Sequence, residues 1–125
     1  SINSKLSKKI DIIYVPKYKT MITRDNILNI FKKAKKNNKI SALSTKCLSS
    51  KYKGSNYRIY GSSAFSFYKF IIGDVNEFIY CKGAKIWDCF TGLRLISLIN
   101  CKKIIKKKNW IDKPTYKTEF KLRWI

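Results

Sequence analysis

Residues 56–72 read Asn-Tyr-Arg-Ile-Tyr-Gly-Ser-Ser-Ala-Phe-Ser-Phe-Tyr-Lys-Phe-Ile-Ile. Two aromatic and β-branched runs, 56–60 and 65–72, flank Gly61, Ser62, Ser63 and Ala64, the pattern of a β-hairpin closed by a four-residue loop. Alternation sends Tyr57 and Ile59 one way and Arg58 and Tyr60 the other, and it sets Phe65, Phe67 and Lys69 against Ser66, Tyr68 and Phe70. The alternation is imperfect, so such a sheet is expected to be covered partly by protein and partly by something else.

Working upstream, the spacing predicts a helix from about Asn26 to Lys36, with Asp25 or Thr23 as its cap and Asn37 and Asn38 at its close. Ile27, Ile30, Phe31 and Ala34 fall on one side, while Lys32, Lys35, Lys36 and, if the helix persists, Lys39 recur on the other. No acid interleaves those lysines, which favours phosphate contact over a solvated mixed-charge face. Before it, 10–15 is a short β-prone run stopped by Pro16, 17–24 reads as a connection, and 1–9 as a cationic arm. Residues 40–55, rich in Ser and Lys, read as a loop or irregular strand. Downstream, 78–81, 85–90 and 93–99 read as a meander of short strands punctuated by Gly83 and Gly92, followed by the lysine run at 102–108 and a closing Phe120, Leu122, Trp124, Ile125 pattern.

The whole chain has 125 residues, the size of one ordinary domain, and its 45 % hydrophobic content argues against a fully disordered chain. Its formal charge is +21, with no histidine, and repulsion on that scale calls for a polyanion nearby. Lysines outnumber arginines 24 to 4, and residues with AT-rich codons (Lys, Asn, Ile, Met, Phe, Tyr) number 68 against 15 for Gly, Ala, Arg and Pro. Nucleotide bias explains that choice better than chemistry, because Arg is the better bidentate phosphate ligand. It points to an AT-rich genome such as that of an organelle.

No apolar run reaches the ~18 to 20 residues that span a bilayer, and the start of the chain shows neither a signal-peptide core nor an Arg-rich transit pattern. Cys47, Cys81, Cys89 and Cys101 contain no Cys-x-x-Cys pair and have no His to complete a zinc site, so no metal or cofactor is expected and buried reduced thiols are. Without His, acid–base catalysis would fall to a few carboxylates. Asp74 and Glu77, with Asp88, are the one candidate cluster for a metal-dependent nuclease, and a turn with its cap is the simpler reading. Nucleic-acid binding is better provided for: Lys32, Lys35, Lys36 and Lys39 by the helix, Lys46, Lys51, Lys53 and Arg58 along the loop and hairpin, and Lys102, Lys103, Lys106, Lys107 and Lys108 near the end. Tyr52, Tyr57, Tyr60 and Trp110 adjoin basic residues, as stacking on unpaired bases requires, although each is also a candidate for the core.

From the helix to Val75 the chain resembles the ribosomal small-subunit protein family numbered nineteen. That family follows its helix with Lys-Ile-x-Thr-Trp-Ser-Arg, and Lys39, Ile40 and Ser44 stand in that register, with Leu43 for Trp and Thr45 for Arg. Gly54, Ile59, Tyr60, Phe65, Lys69, Gly73 and Val75 match further positions of the organellar form. Gly61-Ser62 stands for Asn-Gly, and Asn76, Glu77, Phe78, Tyr80, Cys81 and Lys82 occupy the slots of its Gly-His-Lys-x-Gly-Glu-Phe motif. The resemblance implies an α+β fold in which an N-terminal helix packs on a small, mostly antiparallel sheet, with basic terminal extensions. On this reading 1–24 is the arm and connection, 25–83 the RNA-binding core and 84–125 a C-terminal extension.

The expected function is that of a non-enzymatic constituent of the small subunit of an organellar, mitochondrial ribosome, with a plastid-type organelle as the alternative. Its expected partners are ribosomal RNA of the subunit head and neighbouring ribosomal proteins, among them the one numbered thirteen, with no membrane or small-molecule substrate. The rivals are another ribosomal protein of either subunit and a free-standing basic nucleic-acid binder or nuclease.

Overall fold

The computed structural model describes residues 11–35, 39–45, 47, 56–84, 86–106 and 118–125. Strand β1 (Ile12–Val15) and strand β2 (Thr20–Thr23) form a two-stranded antiparallel ribbon joined by a 3₁₀ turn at Pro16–Tyr18. Helix α1 (Ile27–Lys33), β3 (Ser41–Leu43), β4 (Tyr57–Arg58), helix α2 (Ser63–Ile71), β5 (Glu77–Ala84), helix α3 (Ile86–Ile96), β6 (Lys102–Lys106) and β7 (Thr118–Arg123) follow. The larger sheet has the order β4-β3-β5-β7-β6. β3 runs parallel to both β4 and β5, whereas β7 is antiparallel to β5 and β6.

The fold is α+β, with a small antiparallel ribbon and a larger mixed sheet whose longer ladders are antiparallel. The first packed element is the β1–β2 ribbon, not a helix: residues 17–24, expected as a connection, supply the turn and β2. Its inner side chains, Ile13, Val15 and Ile22, are buried, and β1 packs on α2 and α3. Those helices pack on each other, and Phe67 of α2 reaches the sheet, meeting Phe78 edge-on at 5.0 Å and Phe120 at 5.6 Å. The helices thus lie between the ribbon and one face of the large sheet.

The expected hairpin at 56–72 forms only as β4, and its second strand is α2. Ser62 accepts a hydrogen bond from the Phe65 amide at its N-terminus, with Gly61 in the left-handed region just before it. Phe67, Tyr68, Phe70 and Ile71 then fall on one helical face and are buried together. The expected strands at 85–90 and 93–99 are likewise replaced by α3, which buries Cys89, Leu95 and Ile96. β5 covers the expected strand at 78–81.

β7 lies between β5 and β6, so the end of the chain is an interior strand of the sheet. Its alternation is regular, with Phe120 and Leu122 inward, and Trp124 beyond it donates its indole N–H to the Phe70 carbonyl at 2.9 Å. The expectation of four reduced thiols fails at one pair. Cys47 and Cys81 are disulfide-bonded across 34 positions, because β3 and β5 are neighbours and bring the two Cα atoms to 5.1 Å. Cys89 and Cys101 are free and buried.

Candidate nucleic-acid interface

α1 ends sooner than its periodicity suggests. Ala34 turns to extended backbone, and the Lys35 carbonyl passes so close to Gly73 that a Cβ there would lie 3.0 Å from it. The lysine stripe expected from Lys32 to Lys39 therefore does not form as one helix face: Lys32 and Lys33 sit on the last turn, and Lys35 and Lys39 belong to the segment leading to β3. Lys36, Lys46, Lys51, Lys53, Lys107 and Lys108, like the arm at 1–9 and the candidate cap residues Asn37 and Asn38, lie outside the described residues. At the helix start, Thr23 and Asn26 organise the turn. The Asn26 carboxamide oxygen accepts from the Thr23 amide at 2.8 Å, while the Thr23 hydroxyl accepts from Asp25.

Tertiary structure gathers cations from separate segments at one end of the large sheet. The Phe31 ring of α1 stacks on Trp124 at 4.2 Å, drawing the end of α1 to the end of β7. Asn76 donates to the Ile40 carbonyl and accepts from the Trp124 amide, each at 3.0 Å, so the starts of β3 and β5 and the exit of β7 lie side by side. β6 begins there, with Lys102 directly opposite Arg123. Lys32, Lys33, Lys35, Lys39, Lys102, Lys103 and Arg123 are all exposed, with Lys103, opposite Leu122, on the other face of the sheet from Lys102 and Arg123 and donating to the Ile99 carbonyl at 3.0 Å. Two like charges facing each other across a ladder destabilise a sheet. On its other flank Arg123 faces Glu77 of β5, which offsets part of that cost and leaves Lys102 at the edge of the sheet to meet an outside anion.

The acids at this end are already engaged. Glu77 accepts from the Ser41 hydroxyl at 2.8 Å and pairs with Lys121 at 3.3 Å, and Asp74 pairs with Lys69 at 2.8 Å. Burial pulls the Lys69 pKa down, but the hydrogen bond to Asp74, the charge of Asp74 and the nearby Tyr18 and Tyr60 together outweigh this and leave the ammonium above its ordinary value. Asp74 and Glu77 thus serve different cations, and no cluster of three metal-ligating side chains exists among the described residues. Asp88 lies in the first turn of α3, where its backbone carbonyl accepts from the Ser63 hydroxyl.

Of the other expected contacts, Arg58 is exposed on β4, at the opposite edge of the sheet from β6, and Lys106 ends β6 opposite Glu119. The expected base-stacking residue Tyr57 is partly exposed on β4. Tyr60 packs edge-on against Phe65 at 5.1 Å, and burial raises its pKa. Sequence reasoning missed Arg123, Lys121 and Lys33. The first two were legible in the closing alternation, because a strand that buries 120 and 122 must turn 121 and 123 to its other face. Among the described residues no helix is long and apolar enough to cross a membrane. No protein-family model matches the chain, and no curated protein is significantly similar to it.

Proposed function

We propose that this chain is a structural RNA-binding protein of an organellar, mitochondrial, small ribosomal subunit, of the type suggested by its resemblance to the family numbered nineteen. The observation that supports RNA binding is the convergence of Lys35, Lys39, Lys102, Lys103 and Arg123 at one end of the sheet, beside acids that other cations already hold. Its mechanism is neutralisation of phosphates by a rigid, shaped cationic surface, with no bond made or broken. Ribosomal RNA of the head and an adjoining ribosomal protein, the one numbered thirteen, are the partners this reading names. Asp74 and Glu77, each tied to a lysine, do not favour the nuclease alternative.

Two measurements test the reading. In a magnesium-containing gradient of organelle lysate, the chain is expected to travel with small-subunit RNA and to stay with it in high salt; free protein at the top sinks the ribosomal assignment. For the purified chain and small-subunit RNA, each phosphate contact contributes about 0.7 to 0.9 to the slope of log affinity against log salt. Replacing Lys102, Lys103 and Arg123 with Gln is expected to lower that slope by roughly two units. An unchanged slope removes this end of the sheet as the interface.

A further inference from the structure

β1 reads Ile-Ile-Tyr-Val, an uninterrupted apolar run of the kind found in strands covered on both faces. Its inner residues Ile13 and Val15 are 4 % and 5 % exposed against the helices. Its outer residues are not covered: Ile12 is 43 % exposed and Tyr14 52 %, and the register sets Met21 of β2, 47 % exposed, directly opposite Tyr14 and diagonal to Ile12. The three make an apolar strip on the side of the ribbon away from the helices and the large sheet.

We infer that this strip is the docking surface for another protein, one that presents an apolar patch bordered by carboxylates. Tyr14 alone of the three carries a ring and a hydrogen-bond donor, and the aliphatic Ile12 and Met21 beside it offer a nucleotide neither, so the strip as a whole suits apolar protein surface better than RNA. Lys17 and Lys19 stand exposed at the ribbon's connecting turn, giving the strip a cationic border that matches an acidic partner. A second copy of this chain is a poor occupant, because two bodies of charge +21 repel and would bring lysines against lysines. The molecule then has two working sides, a cationic sheet end for RNA and an apolar ribbon for a protein neighbour.

Carbodiimide, which joins an amine to a contacting carboxylate, tests this in the native assembly. Lys17 or Lys19 is expected to couple to Asp or Glu of a different polypeptide. The chain carrying Ile12→Thr, Tyr14→Thr and Met21→Thr, which keeps strand-forming residues, is expected to give about tenfold less of that product. Its RNA cross-links at Lys102 and Arg123 are expected to be unchanged. If the triple variant does not fold, Lys17→Glu with Lys19→Glu, both outside the core, is expected to reduce co-purification of the same partner measured without cross-linker, because these two lysines are the amines that the carbodiimide uses. Coupling confined to this chain or a second copy, RNA cross-linked at Tyr14, no coupling at all, or a partner retained by both variants overturns the inference. A chain found free of ribosomal RNA that still forms the ribbon-dependent product sinks the ribosomal reading and leaves the docking surface standing.

Discussion

Gly92 has no side chain, and the Phe67 ring fills the space where one would begin: a Cβ at 92 would overlap it. Ala normally favours a helix over Gly by about 1 kcal/mol, yet here overpacking decides the sign. Gly92→Ala is expected to lower stability by about 1 to 3 kcal/mol in denaturant unfolding. Phe67→Leu in the same chain is expected to recover part of the loss, and strict additivity of the two changes would show that the contact is not the cause. Nothing in the sequence marked Gly92 as more than a break between strands, because its meaning depends on a ring 25 positions away. Cys89 is comparable. Burial, with Asp88 adding to it, pushes its thiol up to about 12 from an ordinary value near 9. A folded-state pKa raised in this way contributes stability that is complete below about pH 9 and lost as pH climbs toward 12. Cys89→Ala is therefore expected to flatten the loss of stability above pH 9. In the native chain at pH 8, iodoacetamide is expected to label Cys89 at least about tenfold more slowly than in denaturant, and equal rates would contradict its burial.

Among the elements, the long apolar runs were the ones misread. Phe65–Ile72 and the segment around Leu93–Ile99 are rich in aromatic and β-branched residues, so propensity and short-range alternation both favour strands. A helix won at 63–71 because Ser62 caps it and because its apolar face packs on α3 and on the sheet. Ser62, followed by Ser63, Ala64 and Phe65, is a legible cap that the hairpin reading treats as loop. In the opposite direction, the strongly periodic helix near 26–36 was found at its true place. It ends at Lys33, and the chain leaving it passes close to Gly73, where the absence of a side chain lets the Lys35 carbonyl approach. The cationic site shared that fate. Lys35, Lys39, Lys102 and Lys103 were named from their clusters, but what brings them together is the Phe31–Trp124 stack and the β6–β7 ladder.

At the scale of the molecule, residues 118–125 act as a keystone. β7 hydrogen-bonds to β5 on one side and β6 on the other, and its inward residues Phe120 and Leu122 belong to the core. A chain ending at residue 117 is expected to lose cooperative unfolding altogether, since removing β7 leaves β6 without a neighbour and opens the core beside Phe67 and Phe78. A truncated chain with native near-ultraviolet dichroism and a sharp transition would return the C-terminal third to the status of an extension. A second tie holds the ribbon to the helices: Asp11, only 4 % exposed, meets Arg24 at 3.3 Å and Arg94 of α3 at 3.0 Å. The amino-acid sequence by itself determined a chain of one domain's size with enough apolar residues for a core and a large excess of positive charge, because length, apolar content and charge are sums over residues. Only the tertiary structure decided which apolar runs became helices, that Cys47 meets Cys81, and that cations from three stretches of chain share one end of a sheet. Those outcomes depend on contacts between residues distant in sequence, and no local pattern encodes the partner.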